Sequence, residues 1–191
     1  SDQPNSRWYS GCGIYRHVWL TKTMKSAYIP QWGQYVATSP QGDVRVKVDF
    51  AASGNKMKLS VRNTIYDAAG KMVAKSQGVQ EQKLRVKNPH LWDIGKGYLY
   101  TVKSELLVNG KVVDVATTTA GFRDVKFDAK KGFFLNGKNL KINGVCEHHD
   151  FGCLGAAVNE DAMHRKLTIL RDMGVNAIRS SHNPPAPELL N

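Results

Sequence analysis

Apolar and polar residues alternate with a period of two through the middle of this chain. The runs Val44-Arg45-Val46-Lys47-Val48-Asp49-Phe50, Met57-Lys58-Leu59-Ser60-Val61-Arg62 and Leu84-Arg85-Val86-Lys87 each give one face to a core and the other to water. Half-buried strands read this way. Residues 98–106 form a longer strand candidate. Turn chemistry separates the runs: Asp67-Ala68-Ala69-Gly70 divides one pair, and Asn109-Gly110 divides another, a strong hairpin signal. No helical period occurs between residues 34 and 121. The spacing predicts an immunoglobulin-like β-sandwich of about seven strands, without the Cys…Trp…Cys pattern of true immunoglobulin domains.

The pattern changes after Gly121-Phe122-Arg123. Phe133-Phe134-Leu135 and Leu140-Lys141-Ile142 flank Asn136-Gly137, a second tight turn, and residues 140–145 read as a strand. That strand runs into Cys146-Glu147-His148-His149-Asp150. A helix follows, with Asn159 as N-cap, Glu160 and Asp161 in its first turn, Arg171 in its last and Gly174 at its end. Met163, Leu167, Leu170 and Met173 give it one apolar stripe. Residues 175–179 form a second strand, with Ser180-Ser181-His182-Asn183-Pro184-Pro185 as its polar exit. Strand, helix, strand is a βαβ unit with parallel strands, and the start of a second helix follows at Pro187. Two parallel strands and one helix cannot cover a sheet on both faces, so this part reads as the beginning of a larger α/β sheet or barrel. At the other end, residues 7–20 read as a turn-rich segment entering one strand, with too little apolar material for a core.

The chain has 191 residues, 41% apolar and 23% charged, with mean hydropathy −0.40. These values exclude a disordered chain, and no apolar run reaches the length of roughly 20 residues that a membrane helix needs. The formal charge of +11 raises nucleic acid as a partner. Residues 34–121 carry most of the excess, with 13 Lys and Arg against 7 acids, and there the bases alternate with apolar residues. That is a solvated sheet face. A phosphate-tracking groove would cluster its bases around stacking aromatics, so neither nucleic acid nor membrane is an expected partner. Cys12, Cys146 and Cys153 are too few and too irregularly spaced for a disulfide framework, and suit a cytoplasmic or a periplasmic or secreted protein equally well. The first residues show no signal-peptide pattern and no initiator Met, which points to a piece of a longer protein.

In βαβ units chemistry gathers at the C-terminal ends of the strands. His148 and His149 stand after the first strand and His182 after the second. A metal site of these histidines with Asp150 is one reading, although neighbours in an extended exit point to opposite sides. Serine catalysis at Ser180 or Ser181 lacks the nucleophile-elbow glycines, and Cys146 reads as packing. The favoured reading is a polar floor in which His148, His182, Arg179, Asn183 and Asp150 hydrogen-bond a hydroxyl-rich ligand such as a sugar.

Residues 176–184, Asn-Ala-Ile-Arg-Ser-Ser-His-Asn-Pro, resemble the first signature of glycoside hydrolase family 2, which includes β-galactosidases, β-glucuronidases and β-mannosidases. Gly144-Val145-Cys146-Glu147-His148-His149-Asp150 resembles the family's first barrel-strand exit. Trp8-Tyr9-Ser10-Gly11-Cys12-Gly13-Ile14-Tyr15-Arg16 resembles the stretch that closes its N-terminal jelly-roll domain. Asn88-Pro89-His90-Leu91-Trp92, Tyr98-Leu99-Tyr100 and Gly121-Phe122-Arg123 resemble its immunoglobulin-like domain and exit. The resemblance implies three parts: the end of a jelly-roll sugar-binding domain at 1–33, an immunoglobulin-like sandwich at 34–121, and the start of a catalytic (β/α)8 barrel at 122–191.

It further implies a fragment of a retaining exo-β-glycosidase of β-galactosidase type, acting on terminal β-glycosides through a covalent glycosyl-enzyme. His148 and His182 would bind substrate hydroxyls, and Arg179 would serve as a structural and active-site arginine. Both catalytic glutamates are expected beyond Asn191, since Glu147 and Glu188 do not match their positions, so the 191-residue chain alone is expected to be inactive. The family's Tyr after the signature His is Asn183 here. Cys146 and Glu147 stand where the β-galactosidase branch has Asn-Arg, and neither sugar nor linkage is read from the sequence. No cofactor is implied in these residues; a magnesium or sodium ion is open for the parent, as is a homo-oligomer. A non-catalytic carbohydrate-binding module, stacking glycans on Trp92, Tyr98 or Tyr100, and a structural spacer are the alternatives.

Overall fold

A computed structural model describes residues 13–54, 57–182 and 184–190. The chain divides into two compact units, residues 21–140 and residues 141–190 with the segment 13–20.

The first unit is built from β1 (Ala27–Tyr28), β2 (Gln34–Thr38), β3 (Asp43–Val48), β4 (Ala51–Ala52), β5 (Leu59–Tyr66), β6 (Met72–Gly78), β7 (Glu81–Arg85), β8 (Tyr100–Val108) and β9 (Lys111–Ala120). Seven of these form the predicted sandwich: a three-stranded sheet in the order β2-β3-β7 and a four-stranded sheet in the order β6-β5-β8-β9, all antiparallel. Strands β1 and β4 pair separately. Alternation decides which side chains go inside. Val44, Val46 and Val48 of β3 meet Val61, Ile65, Val102 and Leu106 of the facing sheet in one core. Their polar neighbours face out in ion pairs, Arg45 with Glu81, Arg85 with Asp43, Lys47 with Asp49 and Arg62 with Glu105. Part of the positive charge of this region is thus met by nearby acids.

The Asp67–Gly70 turn forms as expected: Asp67 Oδ1 accepts from the amides of Ala69 and Lys71. The Asn109-Gly110 hairpin also forms, both residues having positive φ. The long strand begins at Tyr100 instead of Tyr98 and runs on to Val108. Tyr98 packs against His90 and Tyr100, and Tyr100 meets Phe122 edge-on. Tyr100 is buried, its hydroxyl accepts from the His90 amide at 2.9 Å, and burial raises its pKa. Phe122 is buried under it, and Arg123 stacks on the half-buried Trp92. A short antiparallel sheet of β10 (Val125–Asp128), β11 (Gly132–Leu135) and β12 (Lys138–Asn139) follows, with Asn136-Gly137 at its turn.

The second unit holds the βαβ. Strands β13 (Gly144–Glu147) and β14 (Ala177–Ser180) pair in parallel, and helix α1 (Glu160–Asp172) lies between them in sequence. The N-cap is Asn159, whose side chain accepts from the Ala162 amide, and Gly174 follows the C-cap with φ of 87°. Two expectations are corrected. The first strand starts at Gly144, because Leu140 closes the preceding hairpin on the Phe133 carbonyl and residues 140–143 are not strand. Met173 is 72% exposed. At about 100° per residue it falls roughly 80° round the helix from Met163 and leaves the buried stripe. The start of a second helix is present as α2 (Pro187–Leu190). Segment 13–20 contains no strand. The stretch Trp8–Cys12 of the jelly-roll motif lies outside the described residues. Among the described residues no helix is long and apolar enough to cross a membrane.

Gly42 carries φ of 94°, and a Cβ there would run into the Val86 carbonyl. Gly42→Ala is expected to cost about 1–3 kcal/mol in chemical denaturation; an unchanged midpoint would show that the Ser39–Gly42 turn can rearrange. The Glu105 carboxyl, hydrogen-bonded by Arg62 and then Lys103, is held at about 2. A carboxyl lowered on folding stabilises above its unfolded value near 4.5 and loses that contribution as pH falls toward 2. The melting temperature should therefore drop across this window, and Glu105→Gln should flatten the drop.

Candidate functional site

The register of two short strands sets this site. Cys146 pairs with Arg179 and Glu147 with Ser180, and the Ser181 amide donates to the Glu147 carbonyl at 2.8 Å. The next residues leave the strands side by side. The register continues with His148 opposite Ser181, and His182, one residue further on, meets His148 with ring centroids 5.5 Å apart and planes nearly perpendicular. The peptide joining Ser181 to His182 is cis.

Arg179 organises the polar end. Its Nη1 donates to Ser181 Oγ at 3.2 Å and approaches Cys146 Sγ at 3.8 Å, while Nη2 lies 3.3 Å from His182 Nδ1. A guanidinium can only donate, so Nδ1 of His182 accepts and Nε2 carries the ring proton. The exposed Cys146 thiol is pulled below its ordinary pKa by the Arg179 hydrogen bond first and by Ser181 second.

His149 turns the other way. Its ring stacks on Tyr15 at 5.6 Å, and Nδ1 is buried without a hydrogen-bond partner. Adjacent histidines on an extended exit diverge as the alternation rule requires, so His148 and His149 do not share an ion. Among the described residues no three His, Cys, Asp or Glu side chains are grouped to hold a metal.

Segment 13–20 lies along the same exits. Arg16 donates to the carbonyls of Pro184 and Pro185 at 2.6 and 3.5 Å, and His17 Nδ1 lies 2.6 Å from Glu188 Oε1. The Glu188 carboxyl is lowered, by its own backbone amide first and then by His17. A cavity of about 40 Å³, room enough for a water, is lined by Tyr15, Glu147, His148, His149, Phe151 and Met163.

Of the residues singled out from the sequence, His148, Arg179 and His182 come together. Asp150 sits half-buried on the exit loop and is engaged through its backbone carbonyl, which accepts from Lys166. Asn183 lies outside the described residues. Sequence reasoning missed Ser181 as a buried acceptor for Arg179, Tyr15 as the cover of His149, and Lys166. Lys166 had one signal: it lies three residues after Met163, on the side of the helix that packs.

Comparison with known proteins agrees with this architecture. The model for glycosyl hydrolases family 2 matches residues 28–123, and that for the family's TIM barrel domain matches residues 125–191. The chain is 48% identical over 205 residues to the beta-galactosidase BoGH2A of Bacteroides ovatus, covering all of this chain and 24% of that protein. It is 33% identical to a beta-glucuronidase of Bacteroides fragilis, covering 91% of this chain and 28% of the relative. The crystal structure of a family 2 member from Bacteroides cellulosilyticus superposes with a TM-score of 0.88 at 37% identity, over 97% of this chain and 27% of the other. The chain spans about a quarter of the length of these relatives. With the sandwich and the start of the barrel both matched in chain order, it belongs to the glycosyl hydrolases of family 2.

Proposed function

We propose that this chain is the middle portion of a retaining exo-β-glycosidase of β-galactosidase type, in which His148 and His182 hydrogen-bond hydroxyls of the terminal sugar. The observation that carries this is the placement of His148, Arg179 and His182 at adjacent ends of two parallel strands. Arg179 holds His182 with Nε2 as donor, suited to a hydroxyl oxygen. Hydroxyls accept and donate, and polar groups fixed on strands recognise them at little cost in order. The galactoside is favoured over the glucuronide by the higher identity to the beta-galactosidase relative. The two carboxyl groups of retaining hydrolysis come from elsewhere in the whole protein, and the 191-residue chain alone does not turn over substrate. The burial of Tyr100 and the packing of Tyr98 and Trp92 speak against glycan stacking on the sandwich.

The test uses the full-length protein with p-nitrophenyl β-galactoside and the matching β-glucuronide. Hydrolysis of the galactoside is expected to dominate. His182→Ala should lower kcat/KM by about 10- to 100-fold, the loss of roughly 1.5–3 kcal/mol of transition-state binding. No hydrolysis of any aryl β-glycoside, or a His182→Ala enzyme with unchanged kcat/KM, would overturn the reading.

A further inference from the structure

The exit of β13 is held from the side of helix α1 by one cation. Lys166 Nζ lies 2.6 Å from Glu147 Oε2 and 3.4 Å from the Asp150 carbonyl, and it stands 4.1 Å from the centre of the Phe151 ring. These three partners fall within five consecutive residues and bracket His148 and His149. The ammonium and the carboxylate keep 29% and 18% of their side-chain exposure, so the pair is half-screened. Its donor is carried by a helix anchored at its N-terminal end, through the Asn159 cap and the buried Met163. Strand alternation puts Glu147 on the helix side and its neighbours Cys146 and His148 on the other, with Arg179 and His182. Lys166 therefore acts from behind the site. On the other side of the same residue, the Ser181 amide grips the Glu147 carbonyl.

We propose that Lys166 is a positioning residue for His148: paired with Glu147, it fixes the 147–151 exit so that His148 stands at its place beside His182. The proposal rests on the glycosidase reading above, and adds to it a residue on the outer helix that touches no sugar. A half-exposed ion pair contributes little to global stability. Its effect is on the placement of an imidazole, where a displacement of about 1 Å can cost on the order of 100-fold in rate.

The experiment is a charge swap in the full-length enzyme, read as kcat and KM on p-nitrophenyl β-galactoside beside the melting temperature. Lys166→Met keeps the aliphatic stem and is expected to lower kcat/KM roughly 10- to 100-fold with little change in melting temperature. Glu147→Lys and Lys166→Glu should each show a similar loss, and the double variant Glu147→Lys/Lys166→Glu should recover to within about threefold of wild type, as a pair acting through geometry does. A folded Lys166→Met enzyme with wild-type kcat/KM would overturn the proposal, as would a swap whose losses simply add. Should Lys166→Met fail to fold, the swap decides alone. A wild-type enzyme inert on every aryl β-glycoside removes the glycosidase reading itself. An active wild type that ignores Lys166 removes only the positioning role.

Discussion

The site depends on the register of two four-residue strands. Parallel pairing of Cys146 with Arg179 and of Glu147 with Ser180 brings the first residues beyond each strand to the same height. A shift of one residue would send His148 to the helix side and Glu147 to the open side, because side chains alternate along a strand. The register is held from several directions. Asn176 exchanges hydrogen bonds with Asn143 at the entry of the strands, and the Ser181 amide bonds to the Glu147 carbonyl at their exit. Lys166 of helix α1 then pairs with Glu147. Each of these contacts is local to the βαβ, and together they place two histidines that lie 34 positions apart in sequence.

The sandwich solves its own register with buried polar groups. Gln34 of β2 reaches across to the facing sheet, donating to the Val102 carbonyl and to Ser104 Oγ, and Ser104 in turn donates to Asn63 at 2.6 Å. Gln82 of β7 does the same on the other flank, donating to the Val61 carbonyl and accepting from Ser76. An apolar core is tolerant of sliding, whereas a buried amide has only one set of partners at each register. These two glutamines therefore fix one sheet over the other, at the cost of desolvating polar atoms.

Much of the fold was readable because its rules are local. Valines at 44, 46 and 48, the Asn-Gly turns at 109 and 136 and the Asn159 cap each declare themselves within a few residues. What was not readable depends on partners far along the chain. Asn63 and Ser104 look like ordinary polar strand residues until β5 and β8 pair. Tyr98 and Tyr100 look like a shared strand face until Phe122 arrives beneath Tyr100 and the strand starts two residues later. At the site, His148, Arg179 and His182 could be named from their strand-end positions, since the βαβ topology dictates where such ends lie. Tyr15 could not, because nothing in its own neighbourhood says that it packs on His149, and the helix period places Lys166 on the packed side without naming Glu147 as its partner.

The two histidines that meet are held by unlike means. His182 is set by a cation on its own strand: Arg179 contacts its ring directly, and because a guanidinium never accepts, it decides which nitrogen carries the proton. On the proposal above, a cation on the helix acts on His148 through Glu147 and the loop beyond. A direct contact fixes protonation as well as place. An indirect one, as proposed for Lys166, bears on place alone: it reaches the exit through a carboxylate and a backbone carbonyl and so acts on where the loop stands.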